Sequence, residues 1–465
     1  MKPIIPDFHP DSKRPLYLEL YDEIQSLILE GGFSYGEKLP SLRALSKSLG
    51  LSLTTIELAY NQLSVEGYIT SKPQSGYYVN RIAINSKVLP KKSPAYHSQE
   101  TFPLFDTPSE FLYDPSCFDF IKWKKCMNKI LTEHSHLLLH ESDPQGEFAL
   151  RYEISNYIYR SRGVVCSPEQ IVIGAGTQQI TNQLSVLLTK IDIKHVAVEA
   201  PGYLPVLNIF RDRNFAITHV PVEKEGIKIS KLPSNIRSAV YVNPSNQFPT
   251  GYVMPIGKRY ELLKWAKEND SIIIEDDYDS ELRYFGNPVP SLQGLDTSQR
   301  VVYLGSFSST LFPSIKISYM VLPPILSQTF TKLKHNYSQT CSKTEQLTLA
   351  LYMEKGLYQI NIKKLRTLYA QKLQGTISAF SQFGDNFIFP RESSSGINML
   401  INIKSAKTSE ILCQEAKELG IMVLPITIYT DEPTEAYKTL ILYYNQIPLT
   451  QIRTAISALG EKWKG

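Results

Sequence analysis

The sequence has few cysteines and no long apolar run. The five cysteines, Cys117, Cys126, Cys166, Cys341 and Cys413, are scattered over 465 residues without a C-x-x-C pair. This spacing disfavours a zinc site or a disulfide framework and favours a reducing compartment. No window reaches the roughly 18 apolar residues of a membrane span, and the N-terminus lacks the apolar stretch of a signal peptide. We therefore expect a cytoplasmic protein with no bound metal and no membrane contact.

A large excess of charge of one sign is also absent. The chain carries 49 Lys and Arg and 45 Asp and Glu, for a formal net charge of +4. So small a net charge does not by itself indicate a nucleic-acid partner, and DNA binding must be argued from local sequence patterns. At 465 residues and 42% hydrophobic content, the chain is long enough for two or three domains with a large core.

The first eighty residues have the pattern of three helices followed by a hairpin. Apolar residues at helical spacing predict helices over residues 16–30, 41–49 and 54–66, each followed by glycine. Two short strand-like runs around a Pro/Gly turn occupy residues 68–80. Helix, short turn, helix and hairpin in this order predict a winged helix-turn-helix.

This segment resembles the GntR-type DNA-binding domain. The resemblance rests on Gly36-Glu-Lys-Leu-Pro-Ser-Leu-Arg43, Leu49-Gly-Leu-Ser52, Ala59-Tyr-Asn-Gln-Leu63, Glu66-Gly67-Tyr68 and Ser75-Gly76. It implies that Arg43 reaches a phosphate or a base edge. It places Ser52, Thr54 and Thr55 at the start of the recognition helix, and Lys72 with Gly76 in the wing. The family often has Arg where this chain has Leu53, so a specific base contact there is missing or altered.

A helical module for protein contacts is the alternative for residues 1–80. This segment holds seven Lys or Arg and nine Asp or Glu, a local net charge of −2. A protein-contact module would have the same helical periodicity, but the wing and the turn spacing favour DNA. Weak affinity of a single acidic module would call for a dimer.

Residues 81–110 lose periodicity and contain four prolines, which predicts a linker between domains at 1–80 and 111–465. Arg81, Lys87, Lys91 and Lys92 precede the first acid of this segment, Glu100. These cations either contact the DNA backbone or belong to a solvated tether. The length permits the two domains to move or to cross between subunits.

Continuous apolar runs predict buried parallel strands in the larger part of the chain. The runs are residues 170–174, 195–199, 239–242, 271–275 and 301–304. Ligands of open α/β sheets bind at the loops that leave the carboxyl ends of the strands. The sequence therefore predicts an α/β domain with a ligand site at that edge.

These loops resemble those of class I and II aminotransferases, the fold-type I enzymes that depend on pyridoxal phosphate (PLP). The matching segments are Asp143-Pro-Gln-Gly146, Gly174-Ala-Gly176-Thr177-Gln178, Pro201-Gly-Tyr203, Asn243-Pro-Ser-Asn246-Gln-Phe-Pro-Thr-Gly251 and Glu275-Asp276-Asp277-Tyr278. The resemblance implies that Gly176, Thr177 and Gln178 hold the phosphate at a helix N-terminus. It implies that Tyr203 stacks on the pyridine ring and that Asn246 and Tyr278 contact its phenolic oxygen. Asp276 would keep the ring nitrogen protonated.

Three positions depart from the aminotransferase pattern. Ser309 stands where the family has the lysine that binds the PLP aldehyde, and a hydroxyl cannot replace a primary amine. Lys316 replaces an arginine of the phosphate site and could retain weaker phosphate binding. Ile441 replaces the arginine that pairs with the substrate carboxylate, and each charge-assisted bond lost costs about 1.5–3 kcal/mol. We expect no covalent PLP and no catalysis, while non-covalent PLP binding remains open.

The whole arrangement resembles the MocR-type (GabR-like) regulators of the GntR family. The resemblance implies a head-to-tail homodimer that binds double-stranded DNA at a promoter or operator, with a small-molecule effector in the large domain. One alternative is an active PLP-dependent aminotransferase with an attached DNA module, which uses Lys316 as its amine. Another is that Ser309 was introduced in place of a native lysine. The accompanying departures at Lys316 and Ile441 favour natural divergence.

Overall fold

The computed structural model describes residues 15–82, 110–284, 289–384, 387–391, 395–430 and 438–465. The chain divides into two compact units, Met1–Thr107 and Pro108–Gly465. Most of the predicted linker, residues 83–109, lies outside the described residues.

The N-terminal unit is a winged helix-turn-helix, as the sequence predicts. Its elements are α1 (Leu16–Leu29), α2 (Leu42–Leu49), α3 (Leu53–Val65), β1 (Ile69–Lys72) and β2 (Gly76–Val79). The two strands are antiparallel, with Lys72 opposite Gly76, and an isolated bridge joins Lys38 to Tyr78. The segment before α2 therefore lies along the outer edge of the wing.

Local capping and a small core explain why these helices form. Ser41 accepts a hydrogen bond from the Ala44 amide at the start of α2, and Ser52 accepts one from the Thr55 amide at the start of α3. Such caps are each worth about 1 kcal/mol. The core is built mainly from α1, α3 and the wing, through Leu20, Ile24, Ile56, Tyr60, Leu63 and Val79.

The large unit contains an eight-stranded sheet. Its strands are β3 (Ile171–Ala175), β4 (His195–Ala200), β5 (Ala216–Glu223), β6 (Gly226–Ile227), β7 (Ala239–Val242), β8 (Ile272–Asp277), β9 (Val301–Ser306) and β10 (Ile317–Val321). Their order across the sheet is β3-β10-β9-β8-β7-β4-β5-β6. The five predicted strands are present, and β4, β7, β8 and β9 pair in parallel as expected. The first, β3, instead pairs with the antiparallel β10, which lies between β3 and β9.

Helices cover both faces of this sheet. The helices of this part of the chain are α4 (Phe120–Glu133), α5 (Phe148–Arg162), α6 (Thr177–Lys190), α7 (Leu204–Asp212), α8 (Ile256–Glu268), α9 (Leu292–Leu295), α10 (Pro324–Leu333) and α11 (Lys343–Glu354). On β8, Ile272 and Ile274 pack with side chains of α6, α7 and α10, whereas Ile273 packs on the α8 side. Because alternate residues of one strand enter two cores, the strands are apolar along their whole length.

A second, antiparallel sheet forms the C-terminal part of the large unit. Its strands, β11 (Ile388–Pro390), β12 (Met399–Ile403), β13 (Val423–Pro425) and β14 (Lys438–Leu442), are ordered β11-β12-β14-β13. The helices α12 (Leu357–Phe380), α13 (Ser409–Glu418) and α14 (Ile452–Lys464) contribute to the same core. Among the helices of the described residues, none has the length and apolar character needed to cross a bilayer.

Candidate functional site

A cavity of about 500 Å³ lies at the carboxyl ends of β3, β8 and β9 in the large unit. We call it the main cavity. Eight of the nine residues predicted to contact a cofactor line it: Gly176, Thr177, Gln178, Tyr203, Asp276, Tyr278, Ser309 and Lys316. Residues more than 130 positions apart in sequence thus meet in one place because the strands that carry them end at the same edge of the sheet.

Asn246, the ninth predicted residue, does not line the main cavity. Its amide nitrogen donates to Asp279 at 2.7 Å and to the Tyr278 hydroxyl at 3.4 Å, within the buried interior. Asn243, at the end of β7, lines the cavity instead, and its side-chain nitrogen donates to the Asp276 carbonyl at 3.1 Å. The motif contains both asparagines, and only the path of the loop decides which one reaches the wall.

One end of the main cavity is suited to an anion. Helix α6 begins there at Thr177, and its N-cap, Gly176, supplies no capping side chain. The first amides of a helix and its dipole together attract negative charge. A methyl group added to Gly176 would lie 3.9 Å from Cδ of Lys316, so this lysine approaches the same end of the cavity. Lys316 has a positive φ of 48°, a conformation that in non-glycine residues is concentrated at functional sites.

The acidic run at the end of β8 is divided between the cavity and the core. Asp276 lines the main cavity. Its neighbours are buried in ion pairs: Glu275 Oε1 lies 3.6 Å from Arg259, and Asp277 Oδ2 lies 2.7 Å from Arg162. The alternation of side chains along a strand separates them. One carboxylate of the three is therefore available to a ligand.

The environment of Asp276 favours a carboxylate that titrates near neutrality. Burial raises its pKa to about 6, while hydrogen bonds from Tyr241 and Asn243 oppose the increase. The Tyr241 hydroxyl donates directly to Oδ2 of Asp276. This arrangement fixes the carboxylate at the wall.

Ser309 is half-buried in the wall of the main cavity. Lys316 is the single lysine among the described residues that line it. Ile441 is fully buried in β14, where it packs with Phe248 and Leu400 and does not reach the cavity. Of these three positions, Ser309 therefore supplies the cavity with a hydroxyl and Lys316 with one ammonium group beside the α6 N-terminus, while Ile441 supplies nothing to it.

In the N-terminal unit, the predicted DNA-contacting residues have different surroundings. Arg43 on α2 and Thr54 in the first turn of α3 are exposed. The Ser52 and Thr55 hydroxyls lie 2.8 Å apart, and Ser52 also accepts from the Thr55 amide. Ser52 therefore serves first as the cap that begins α3.

The wing brings two lysines together. Lys72 Nζ lies 4.5 Å from the centre of the Tyr78 ring, a cation–π geometry. A methyl group added to Gly76, whose φ is 110°, would lie 3.1 Å from Lys38 Cε. Lys38 thus lies beside the predicted wing residues, and the sequence analysis missed it. Its place in the motif Gly36-Glu-Lys38 was the available signal.

The described residues contain no cluster of His, Cys, Asp or Glu able to hold a metal ion. All five cysteines are free, and Cys126 and Cys341 are buried.

Comparison with known proteins identifies both units. The profile of the bacterial regulatory proteins of the gntR family matches residues 16–79, and that of class I and II aminotransferases matches residues 109–435. The HTH-type transcriptional regulator YdeL of Bacillus subtilis (strain 168) is 38% identical over 456 residues, which is 97% of each chain. The chain belongs to the MocR-type regulators of the GntR family. The probable rhizopine catabolism regulatory protein MocR of Rhizobium meliloti is 29% identical, with 90% of this chain and 87% of the relative covered.

Solved aminotransferases share the fold of the large unit of this MocR-type chain. Kynurenine aminotransferase from Pyrococcus horikoshii matches with a TM-score of 0.66 and 24% identity, over 76% of this chain and 89% of the enzyme. The α-aminoadipate aminotransferase LysN from Thermus thermophilus matches with the same TM-score and identity, over 76% and 90%. The former structure contains PMP and the latter a phosphopyridoxyl-leucine adduct.

Proposed function

We propose that this protein is a DNA-binding transcriptional regulator whose aminotransferase-like domain binds ligands without catalysing transamination. In this proposal, residues 1–80 bind DNA, residues 81–110 link the domains, and residues 111–465 bind the effector and dimerise. The observation that carries it is Ser309 in the wall of the main cavity. The family resemblance places the lysine that binds PLP at this position.

The residues of the main cavity fit PLP held without a covalent bond. The α6 N-terminus, Thr177 and Lys316 would hold the phosphate, because they combine free helix amides, a hydroxyl and a cation. Tyr203 would cover the ring, and Asp276 would face its nitrogen as a carboxylate fixed by Tyr241. When bound, PLP supplies an electron-withdrawing ring.

The same residues do not support the proton transfers of transamination. Ser309 is not a base at neutral pH, so it cannot accept and return a proton as a lysine amine does. Lys316 approaches the α6 N-terminus, where its charge would pair with the phosphate of PLP. Ile441 gives a substrate carboxylate no partner, since it is buried against Phe248 and Leu400.

Borohydride reduction of the full chain with PLP, followed by peptide mass mapping, tests this part of the proposal. We expect no pyridoxyl group on Lys316, no label beyond that of surface lysines, and complete loss of non-covalent PLP on dialysis. Lys316→Gln is the matched control for labelling of surface lysines. A pyridoxyl group on Lys316 that this substitution removes would contradict the proposal and favour an active enzyme.

For DNA, the exposed cations of the winged helix are the proposed contacts. Lys38 and Lys72 would meet phosphates from the wing, and Arg43 would do so from α2. Thr54 is exposed at the start of α3, where a recognition helix meets base edges. Ser52 holds the first turn of that helix through its bond to the Thr55 amide, and the Thr55 hydroxyl bonds to Ser52 in turn.

Fluorescence anisotropy with the DNA upstream of the protein's own gene tests the DNA assignment. The full chain should bind this DNA more tightly than a shuffled duplex, and a chain that begins at Phe111 should lose the binding. Equal affinity of the two chains would show that residues 1–80 are not the DNA-binding domain.

We further propose that the protein is a cytoplasmic head-to-tail homodimer. Large apolar side chains are exposed on α4 and at the start of α5, among them Ile121 at 70% and Phe148 at 56%. Exposed apolar patches mark association surfaces, and in this proposal these side chains belong to one. Sedimentation equilibrium should give the mass of two chains, and a monomer at micromolar concentration would contradict the proposal.

A further inference from the structure

A second cavity, of about 460 Å³, lies at the carboxyl ends of β4, β5 and β7. We call it the side cavity and define it by Glu199, Tyr203, Leu207, Arg211, His219 and Asn243. Tyr203 and Asn243 line the main cavity as well. The volume lies within the range of about 300–1,000 Å³ that is usual for small-molecule sites.

The walls of the side cavity are largely apolar. Val206 and Leu207 of α7 are buried there, and Ile428 and Tyr429 also line the space. The Tyr203 and Tyr429 rings each meet Phe248 edge to face, with centroid distances of 5.7 and 4.9 Å. Walls of this kind suit a flat apolar or aromatic group.

Two buried polar side chains of the side cavity each have one oxygen atom without a hydrogen bond among the described residues. Glu199 and Asn243 are 4% and 2% exposed, and within the described residues Glu199 Oε1 and Asn243 Oδ1 accept no hydrogen bond. Glu199 Oε2 already accepts from the Asn243 amide and from Gln247. Burial raises the pKa of Glu199 to about 8, so at neutral pH this group is mainly a neutral acid with a proton to donate. A ligand hydroxyl could donate to one residue and accept from the other.

Arg211 brings a positive charge to the side cavity. Arg211 and His219 are exposed and line the space, and Arg211 Nη1 donates to Asn208 Oδ1 at 2.9 Å. Glu199 is the single acidic residue among the described residues that line it, and burial holds it mainly in the neutral form at neutral pH. An anionic group at the mouth would therefore meet Arg211 without an opposing carboxylate.

We propose that the side cavity is a second ligand site, which binds a small aromatic carboxylic acid with a hydroxyl at its far end. The carboxylate pairs with Arg211, the ring lies between Leu207 and the tyrosines, and the hydroxyl bonds to Glu199 and Asn243. The inference concerns binding alone. It goes beyond the proposed function and holds whether or not the protein regulates transcription.

Isothermal titration calorimetry of the full chain with 4-hydroxyphenylacetate tests the proposal. We expect saturable binding that Arg211→Gln weakens by about ten- to a hundredfold, the effect of losing one charge-assisted hydrogen bond. Arg213→Gln is the matched control. Arg213 is also exposed and donates to an asparagine, Asn182, as Arg211 does to Asn208, but it does not line the side cavity. Phenylacetate, which lacks the hydroxyl, should bind about tenfold more weakly than 4-hydroxyphenylacetate.

The variant Lys316→Gln distinguishes ligand binding in the side cavity from binding in the main cavity, because Lys316 lines the main cavity and not the side cavity. This variant should bind 4-hydroxyphenylacetate as the unaltered chain does. Loss of binding in Lys316→Gln would place the ligand in the main cavity and overturn the proposal. Absence of saturable binding in the millimolar range, or equal affinities of Arg211→Gln and Arg213→Gln, would overturn it as well.

Discussion

Arg162 Nε lies 2.7 Å from Asp277 Oδ2, and the two side chains are 5% and 1% exposed. The pair joins α5 to the end of β8, one residue beyond the carboxylate that lines the main cavity. The Tyr303 hydroxyl also donates to the same oxygen at 2.7 Å, and Arg162 Nη2 donates to the Ser245 hydroxyl oxygen at 2.6 Å. The position of Asp276 in the cavity wall therefore depends on a buried charge network behind it.

Asp277→Asn should lower the free energy of unfolding by about 3–5 kcal/mol, because it leaves the Arg162 charge buried without its partner. Urea unfolding followed by circular dichroism measures this loss. Asp276→Asn is the matched control, since the adjacent carboxylate is not in an ion pair and the amide oxygen can still accept from Tyr241. Equal losses of unfolding free energy would contradict the assignment of Asp277 to the buried ion pair and of Asp276 to the cavity wall.

Ser309→Lys combined with Lys316→Arg should restore covalent PLP binding. The double variant supplies the missing amine and a fork for the phosphate, while the Gly176–Thr177 turn, Tyr203 and Asp276 remain in place. The expected result is a visible absorbance change with PLP that borohydride fixes to residue 309. Ser309→Ala with Lys316→Arg is the control for phosphate binding alone. If the double variant keeps its circular dichroism spectrum but gains no PLP, the cavity does not have the shape that we describe.

Lys72→Ala should flatten the dependence of DNA affinity on salt. Each phosphate contact contributes about 0.9 to the slope of log affinity against log salt, so a dimer that loses two contacts should lose up to about 1.8. Arg43→Ala should behave in the same way. Lys267→Ala removes an equally exposed charge from α8 of the large unit and is the control. Unchanged slopes for Lys72→Ala and Arg43→Ala would mean that neither residue contacts DNA.

The first turn of α3 allows base recognition to be separated from helix capping. Ser52→Ala should destabilise the module by about 1 kcal/mol, while Ser52→Asn should keep the cap and most of the stability. Thr54→Ala leaves the cap intact and should weaken the specific site by roughly 1–3 kcal/mol relative to random DNA if Thr54 contacts a base. Thr55→Ala removes the hydroxyl that bonds to Ser52, and we expect both effects from it. Thermal melts and anisotropy with both duplexes distinguish these outcomes.

Glu199→Gln should stabilise the protein at alkaline pH. The pKa of Glu199 in the folded state, about 8, is above its ordinary value of 4.5. The contribution of the protonated Glu199 side chain to the free energy of unfolding is therefore fully present below pH 4.5 and is lost as the pH rises through 8. Glutamine does not ionise, so the variant should gain roughly 4 kcal/mol over the unaltered chain between pH 5 and pH 9. Melts of Glu268→Gln, on an exposed side chain of α8, provide the control and should show no such gain.

The sequence predicted the helices of the N-terminal unit closely because their caps and glycines are local signals. The helix predicted for residues 41–49 is Leu42–Leu49, with Ser41 as its cap. The apolar runs likewise located five strands, whose burial on two faces excludes polar residues. The antiparallel β10 was not predicted, since its position between β3 and β9 depends on contacts far apart in sequence.

Where a motif fixes the backbone, as in the Gly176–Thr177 turn, the structure places the predicted residues in the wall of the main cavity. Where a loop contains two residues of the same type, the sequence does not show which of them reaches the wall. Asn243 and Asn246 belong to one motif, and the turn closed by the Gly251 amide and the Gln247 carbonyl lies next to the second of them. The side cavity had no local signal at all, because Glu199, Arg211 and Asn243 come from three separate elements.

Tyr203 and Asn243 form part of the wall of both cavities. A ligand that alters the position of either residue changes the binding free energy of whatever occupies the other cavity. Thermodynamic linkage makes the effect reciprocal: the factor by which the first ligand changes the affinity for the second equals the factor by which the second changes the affinity for the first. The concentration of one small molecule would therefore alter how much of the other is bound, through Tyr203 and Asn243.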